Sequence, residues 1–199
     1  ADAFDVMQGI SREAGIIYSA LTPNERGMWG ALDAKVDEVA VFAAASESFS
    51  QKNINCSILE SIDRFKAVFE LAKKNRIPVR GYVSCVTHCP YEGEIAPDNT
   101  VKVAARLLEM GCYEISLGDT IGKAKPDDIH RLLGALTKSF GIEKFALHCH
   151  DTYGRALENV KAGYECGVRT FDAAVGGLGG CPYAEGASGN VATEKVVTY

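Results

Sequence analysis

The sequence lacks the features that mark membrane, nucleic-acid-binding and disulfide-rich secreted proteins. Its 21 basic residues are outnumbered by 26 acidic ones, so a basic surface for nucleic acid is not expected. No apolar run is long enough to span a bilayer. Seven cysteines, an odd number scattered along the chain, do not resemble a disulfide framework. We therefore expect no nucleic-acid partner, no membrane partner, and a reducing compartment.

A dinucleotide-binding fingerprint is also missing, because no predicted strand leads into a helix through a G-x-G-x-x-G turn. The chain instead alternates short apolar strands with helices, which is typical of parallel β/α units. The strands are predicted at 16–21, 38–43, 79–85, 114–117, 144–148 and 170–175. Residues 46–56 are predicted to be a polar loop, and Ser57 and Glu60 have the spacing of a capping box that starts a helix.

Six β/α units fit either an open doubly wound sheet or a (β/α)8 TIM barrel. Polar residues follow the carboxyl ends of several strands, where a barrel gathers its active site. The sequence therefore predicts an α/β fold of the TIM-barrel type. Six strands cannot close a standard barrel and would leave apolar edges exposed. We expect residues 1–199 to form a single partial TIM-barrel domain containing strands 3 to 8, with the first two strands and the C-terminal end missing from this sequence.

The clearest chemical motif is the pair His148 and His150 at the end of the fifth predicted strand. Side chains two positions apart on a strand point to the same face, so both imidazoles can reach one ion while Cys149 points away. The alternative is that one histidine is a hydrogen-bonded core residue. Nitrogen ligands combined with amide or carboxylate oxygen suit Mn, Mg, Zn or Co. A closed structural zinc site at Cys85, His88 and Cys89 lacks a matching second cysteine pair.

Three polar residues near the strand ends have a structural interpretation as well as a functional one. Asp119 could be a metal ligand, a partner of a histidine or a base, or it could cap a turn. Asp151 precedes a predicted helix and could simply cap it. Asn190 also precedes a predicted helix, and its amide oxygen could alternatively complete a metal shell. Asn53 lies in a predicted loop and is a possible ligand contact.

A long loop at 176–190 contains six glycines and one proline in fifteen residues. A loop of this length and composition is typical of a lid or a ligand clamp. Its thiol, Cys181, could donate a proton or act as a nucleophile. A covalent mechanism would need a neighbouring base, and the histidines are already assigned to metal. The sequence therefore favours Cys181 as a proton donor.

Several of these segments resemble hydroxymethylglutaryl-CoA lyases. The segments are HCHDTYG at 148–154, SLGDT at 116–120, GLGGCPY at 177–183, KNINC at 52–56 and RGYVSC at 80–85. The glycine-rich loop is the most specific of them, whereas the H-x-H strand is shared with related aldolases and condensing enzymes. The resemblance implies a TIM-barrel lyase that cleaves 3-hydroxy-3-methylglutaryl-CoA to acetyl-CoA and acetoacetate.

The resemblance also implies particular roles for site residues. A divalent ion, Mg or Mn, would be held by His148, His150 and Asn190 together with an aspartate upstream of this sequence. Cys181 would protonate the departing enolate, and His148, Asp119 or upstream acidic residues would take the hydroxyl proton. The predicted substrate-binding residues are Asn53, Tyr82 and Ser116. The partner is a small CoA thioester, and a homodimer is possible.

One departure from the family pattern leaves alternatives open. The family's first-strand aspartate and arginine and its second-strand glutamate have no counterpart in this sequence. The alternatives to a lyase are a related condensing synthase or hydroxy-keto-acid aldolase of the same barrel, and a catalytically inactive metal-binding homologue. For the compartment, we expect a bacterial cytoplasm, with the mitochondrial matrix as the alternative.

Overall fold

The computed structural model describes residues 3–180 and 189–198. Six parallel strands form one sheet, and two short strands form a separate antiparallel hairpin. The strands are β1 (Ser19–Leu21), β2 (Glu38–Ala44), β3 (Val79–Ser84), β4 (His88–Cys89), β5 (Gly93–Glu94), β6 (Ile115–Asp119), β7 (Phe145–Cys149) and β8 (Thr170–Asp172). The helices are α1 (Ala3–Gly9), α2 (Glu25–Asp33), α3 (Glu47–Ile54), α4 (Ile58–Asn75), α5 (Pro97–Met110), α6 (Pro126–Leu136), α7 (Ala156–Glu165) and α8 (Thr193–Val197).

The order of strands in the sheet distinguishes between the two predicted architectures. The sheet runs β1-β2-β3-β6-β7-β8, so each strand pairs with the next sheet strand along the chain. A doubly wound sheet would reverse this order at a switch point. The arrangement is therefore a half-barrel, which confirms the barrel prediction and rules out the doubly wound alternative. That residues 1–199 form one partial domain, with two strands before Ala1, stays a prediction.

The two faces of the sheet carry different side chains because successive strand residues point in opposite directions. The outer face is apolar and packs against the helices, with Val39, Val41, Ile115, Leu117, Phe145 and Leu147 buried in the main core. The inner face carries polar groups, including Glu38, Arg80, Ser116, His148 and Asp172. The candidate site lies at the end of this inner face, next to the carboxyl ends of the strands.

The helix ends follow local sequence signals. The capping box predicted at Ser57 is confirmed, because its side chain accepts a hydrogen bond from the backbone of Glu60 while Glu60 bonds the backbone of Ser57. Helices α5 and α6 both begin with proline, which has no backbone N–H that would be left unpaired at that position. Helix α5 ends at Gly111, whose φ of 113° is readily adopted only by glycine.

The predicted polar loop at 46–56 is wrong. Residues Glu47–Ile54 form helix α3. The Ser46 hydroxyl accepts from the backbone of Phe49 at one end, and Asn55 adopts the left-handed conformation at the other. The hairpin of β4 and β5 was not predicted, and β8 ends at Asp172, three residues before the predicted limit. No helix within residues 3–180 and 189–198 has the length and apolar character needed to cross a membrane.

Candidate active site

A pocket of about 310 Å³ lies at the carboxyl ends of the strands. Its lining residues come from α3, β3, β6, β7 and the loops that follow them: Phe49, Asn53, Tyr82, Val83, Ser84, Gly118, Thr120, His148, His150 and Gly180. A larger groove of about 680 Å³ runs beside α4 and α5. That groove contains none of the predicted site residues, so the smaller pocket is the better candidate for the chemistry.

The two histidines converge as the H-x-H spacing predicts. The Nε2 atoms of His148 and His150 are 3.3 Å apart. Two imidazole nitrogens about 2.1 Å from one ion, at a tetrahedral or octahedral angle, are separated by roughly 3.0–3.4 Å. Cys149 points to the opposite face and is buried in the core. The pair therefore fits a shared divalent ion.

His150 is almost completely buried, and its pKa is lowered to about 4, chiefly by burial and also by the neighbouring His148. The backbone of Thr120 and the side chain of Asn190 partly oppose the shift. His150 is therefore neutral at pH 7, the form in which an imidazole can bind a metal. Its Nδ1 atom is buried and lacks a hydrogen-bond partner of good geometry among the described residues.

Asn190 lies directly beside His150, because the two residues form an isolated antiparallel bridge. The Nδ2 group of Asn190 donates to the carbonyl of Leu178 at 2.9 Å, which leaves the amide oxygen as the remaining acceptor. Asn190 does not cap α8, whose N-cap is Ala192. The structure thus brings together the three described residues that were predicted to hold a metal.

The base of the glycine-rich loop is a tight clasp of backbone against backbone, formed by residues 177–179 and 189–190. The carbonyl of Gly179 accepts from the N–H of Asn190 at 3.3 Å. The carbonyl of Gly189 accepts from the N–H of Asp151 at 3.1 Å. Gly189 has a φ of +91°, and a Cβ there would lie 1.7 Å from the oxygen of Gly179. Cys181, the predicted proton donor of this loop, lies outside the described residues.

Asp119 is not brought into the pocket. It lies on the outer face of β6 and is 1% exposed. One carboxylate oxygen accepts from the backbone of Ala124 at 3.1 Å, and the other lies 3.5 Å from the hydroxyl of Thr87. Burial raises its pKa to about 6, against the opposing effect of these hydrogen bonds. These contacts match the turn-capping interpretation. Asp151 likewise accepts from the first backbone N–H of α7, at Ala156.

The predicted substrate-binding residues lie at three depths. Asn53 lies at the mouth of the pocket on α3, and Tyr82 lines its wall. Ser116 is fully buried and donates to the carboxylate of Asp172 at 2.6 Å. The Tyr82 hydroxyl accepts from Nη1 of Arg80 at 2.5 Å. Burial, reinforced by the charge of Asp172, raises the pKa of Tyr82, so its hydroxyl stays protonated.

A charged network below the pocket was not predicted. Asp172 lies 3.3 Å from Nδ1 of His148 and 2.9 Å from Nη2 of Arg80, and Arg80 also contacts Glu114 at 2.8 Å. Burial alone would raise the pKa of Asp172, but the His148 hydrogen bond, Arg80 and Ser116 together lower it. The period-two alternation of 170–172 could have placed Asp172 on the inner face. Its partners, however, are distant in sequence.

The structural zinc alternative finds no support among residues 3–180 and 189–198. In that part of the chain no three His, Cys, Asp or Glu side chains gather closely enough to hold a metal. The thiol of Cys89 instead lies 3.0 Å from the hydroxyl of Ser46. The candidate ion site above is of a different kind, because its predicted third ligand is the amide of Asn190.

The half-barrel with a polar pocket at the carboxyl ends of its strands defines a protein of the TIM-barrel class. Residues 1–199 match the family model described as HMGL-like. The chain therefore belongs to the HMGL-like family.

Similar proteins are named as hydroxymethylglutaryl-CoA lyases, the family that the sequence motifs resemble. The chain is 53% identical over 197 residues to the mitochondrial hydroxymethylglutaryl-CoA lyase of Gallus gallus. The alignment covers 99% of this chain and 66% of that protein. The HMG-CoA lyase of Brucella melitensis superposes with a TM-score of 0.96 at 49% identity, over 100% of this chain and 70% of that one.

A third structure was solved with ligands. The HMG-CoA lyase of Acinetobacter baumannii in complex with coenzyme A and 3-methylmalate superposes with a TM-score of 0.92 at 37% identity, over 98% of this chain and 64% of that one. The chain spans 53% to 66% of the length of the curated relatives that it matches.

Proposed function

We propose that the full-length protein is a lyase that cleaves 3-hydroxy-3-methylglutaryl-CoA to acetyl-CoA and acetoacetate. The observation that carries the proposal is the convergence of His148 and His150, with Nε2 atoms 3.3 Å apart and Asn190 beside them, at the rim of the half-barrel. Relatives at about half identity over nearly the whole chain are named for this activity. A CoA thioester substrate is supported by the relative solved with coenzyme A.

The metal of this proposal is Mg or Mn, held by the two Nε2 atoms and the amide oxygen of Asn190. A divalent cation supplies Lewis-acid stabilisation of negative charge that develops on oxygen. The neutral state of His150 at pH 7 suits it to this role. The donor set of two imidazoles and one amide suits a borderline or hard ion.

The residues of the chain would orient the substrate and move two protons. Tyr82 lines the pocket wall with its hydroxyl protonated, and Asn53 lies at the mouth. The hydroxyl proton must pass to a base that reaches the pocket, which His148 does and Asp119 does not. Because this proposal assigns Nε2 of His148 to the ion, His148 cannot also be that base, and the acceptor we propose is one of the acidic residues that the resemblance implies upstream. We assign protonation of the enolate carbon to Cys181.

A coupled assay for acetoacetate with full-length protein tests the proposal. We expect turnover with added Mg or Mn, loss of turnover after chelation, and recovery when the metal is returned. Cys181→Ala should lower kcat by about 10²–10⁴, the usual contribution of a positioned acid, and should leave metal affinity unchanged. Cys166→Ala is the matched thiol control, because Cys166 is half-buried 3.1 Å from Nδ1 of His130 and does not line the pocket.

The outcomes separate the alternatives. Normal turnover in Cys181→Ala would contradict the role of that thiol, whereas no acetoacetate from wild-type protein would contradict the lyase. Metal binding without any turnover would favour the inactive homologue. Condensation of acetyl-CoA with an oxo acid would favour a synthase of the same barrel. For the compartment we propose the cytoplasm or the mitochondrial matrix, and for assembly a homodimer, which size-exclusion chromatography with light scattering would test.

A further inference from the structure

Asp172 connects the two histidines of the candidate metal site to the interior of the half-barrel. Its Oδ2 atom is 3.3 Å from Nδ1 of His148 and accepts the hydroxyl of Ser116 at 2.6 Å. Its Oδ1 atom lies 2.9 Å from Nη2 of Arg80. One carboxylate therefore faces three groups from three different strands. Of these groups, only His148 also reaches the pocket.

These contacts determine which nitrogen of His148 carries the proton. Arg80 has donors only, and Ser116 donates to the oxygen that faces the imidazole, so both oxygens of Asp172 act as acceptors. Nδ1 of His148 must then be the donor. In a neutral imidazole the other nitrogen is an acceptor. Nε2 of His148 is therefore left with its lone pair directed toward Nε2 of His150, where an ion would sit.

Arg80, which contacts Asp172, does not line the pocket and is itself held by other side chains. The guanidinium of Arg80 uses Nε to contact Glu114 at 2.8 Å and Nη1 to contact the hydroxyl of Tyr82 at 2.5 Å. Its carbon lies 4.9 Å above the ring of Tyr82. A guanidinium engaged at all three of its nitrogens has a fixed orientation, which a lysine could not reproduce.

We infer that Asp172 is a positioning residue, which fixes His148 as the Nδ1–H tautomer and so presents its Nε2 atom to the divalent ion. The inference rests on the metal site proposed above and adds a role that sequence reasoning did not assign. Mutation of a group that hydrogen-bonds the second nitrogen of a metal-binding histidine commonly lowers metal affinity by about 10- to 100-fold. A purely structural carboxylate would affect stability without affecting the ion.

A pair of variants in full-length protein separates the two roles. Asp172→Asn and Glu114→Gln each neutralise one carboxylate that contacts Arg80, but only Asp172 contacts His148. We expect both variants to lower the urea midpoint of unfolding. Only Asp172→Asn should weaken Mn²⁺ binding, measured by electron paramagnetic resonance titration, by about 10- to 100-fold. Equal Mn²⁺ affinity in the two variants would overturn the inference.

A second measurement needs no Asp172 variant. In wild-type protein labelled with ¹⁵N-histidine and stripped of metal, the His148 resonances, assigned by their loss in His148→Gln, should report a proton on Nδ1 and a bare Nε2. A proton on Nε2 would overturn the inference even if Asp172→Asn does not fold. Neither readout uses the acetoacetate assay, so failure of the lyase proposal and failure of this inference are distinguishable.

Discussion

Gly189 offers the sharpest test of the clasp that holds Asn190 beside His150. In Gly189→Ala the new Cβ would begin 1.7 Å from the carbonyl oxygen of Gly179 and 2.8 Å from that of Gly177. Ordinary van der Waals contact starts at about 3.4 Å. Both of these neighbours are backbone oxygens, which cannot rotate away as the end of a side chain could. To remove this clash, the two segments of the clasp must separate, and Asn190 must move with them.

The expected loss of stability in Gly189→Ala has two parts, and the control variant Gly176→Ala shares only the first of them. An alanine at a φ of +91° has a left-handed backbone, which costs roughly 1–2 kcal/mol. The backbone clash adds about 1–3 kcal/mol, as overpacking usually does. Gly176→Ala carries the same backbone cost, because Gly176 has a φ of +64°, but its Cβ would meet only Leu178 at 3.9 Å.

Urea unfolding of full-length protein measures the loss of stability, and Mn²⁺ titration measures whether Asn190 has moved. We expect Gly189→Ala to lose about 1–3 kcal/mol more stability than Gly176→Ala. It should also bind Mn²⁺ at least about tenfold more weakly, while Gly176→Ala keeps the wild-type affinity. If the two alanine variants behave alike in both assays, the clasp does not hold Asn190 at the ion and the reasoning is refuted.

Three further perturbations test the fold and its buried charges. Arg80→Gln should lower the free energy of unfolding by about 3–5 kcal/mol in urea, because buried carboxylates lose their cation. Ser57→Ala should lower it by about 1 kcal/mol, because the N-cap hydrogen bond of α4 is lost. The pKa of Asp119 in the folded protein is about 6, above its ordinary value of 3.8, so its contribution to stability is greatest below pH 4 and falls as pH rises to 6. The stability of Asp119→Asn relative to wild type should therefore increase by up to about 3 kcal/mol between pH 4 and pH 7.

Each of these has a control or a contrary outcome. Arg131→Gln removes an exposed arginine that pairs with Glu94 and Asp128, and should cost no more than about 1 kcal/mol. If Arg80→Gln loses no more stability than Arg131→Gln, burial of the ion pairs is not the cause of the loss. Parallel pH profiles for wild type and Asp119→Asn would contradict the raised pKa of Asp119. An unchanged unfolding midpoint in Ser57→Ala would mean that the cap is not needed.

The parts of the site that could be predicted from sequence depend on short-range geometry. The alternation of strand side chains was enough to place His148 and His150 on one face, because it needs only a spacing of two residues. The rim location followed from parallel strands ending at the same edge. The capping box at Ser57 was read correctly because both partners lie within four residues.

The parts that could not be predicted depend on contacts between distant segments. Asp172 and Arg80 are 92 positions apart in sequence, and nothing local indicates that they form an ion pair. Helix α3 has few apolar residues, so composition suggested a loop, although Ser46 and Phe49 hold its first turn in place. Asp119 is the last residue of the strand that contains Ser116, and its side chain points to the outer face because the two residues are an odd number of positions apart.

The inner face of the half-barrel holds more acid than base. Glu38, Glu114 and Asp172 are three buried or nearly buried carboxylates, and Arg80 is the one guanidinium among them in the described part of the sheet. In the proposed lyase this surplus of negative potential would favour a cation at the paired imidazoles and disfavour the anionic thioester. For the proposed lyase we therefore expect an obligatory order of binding, in which the divalent metal enters first and the acyl-CoA follows once the surplus negative charge has been neutralised.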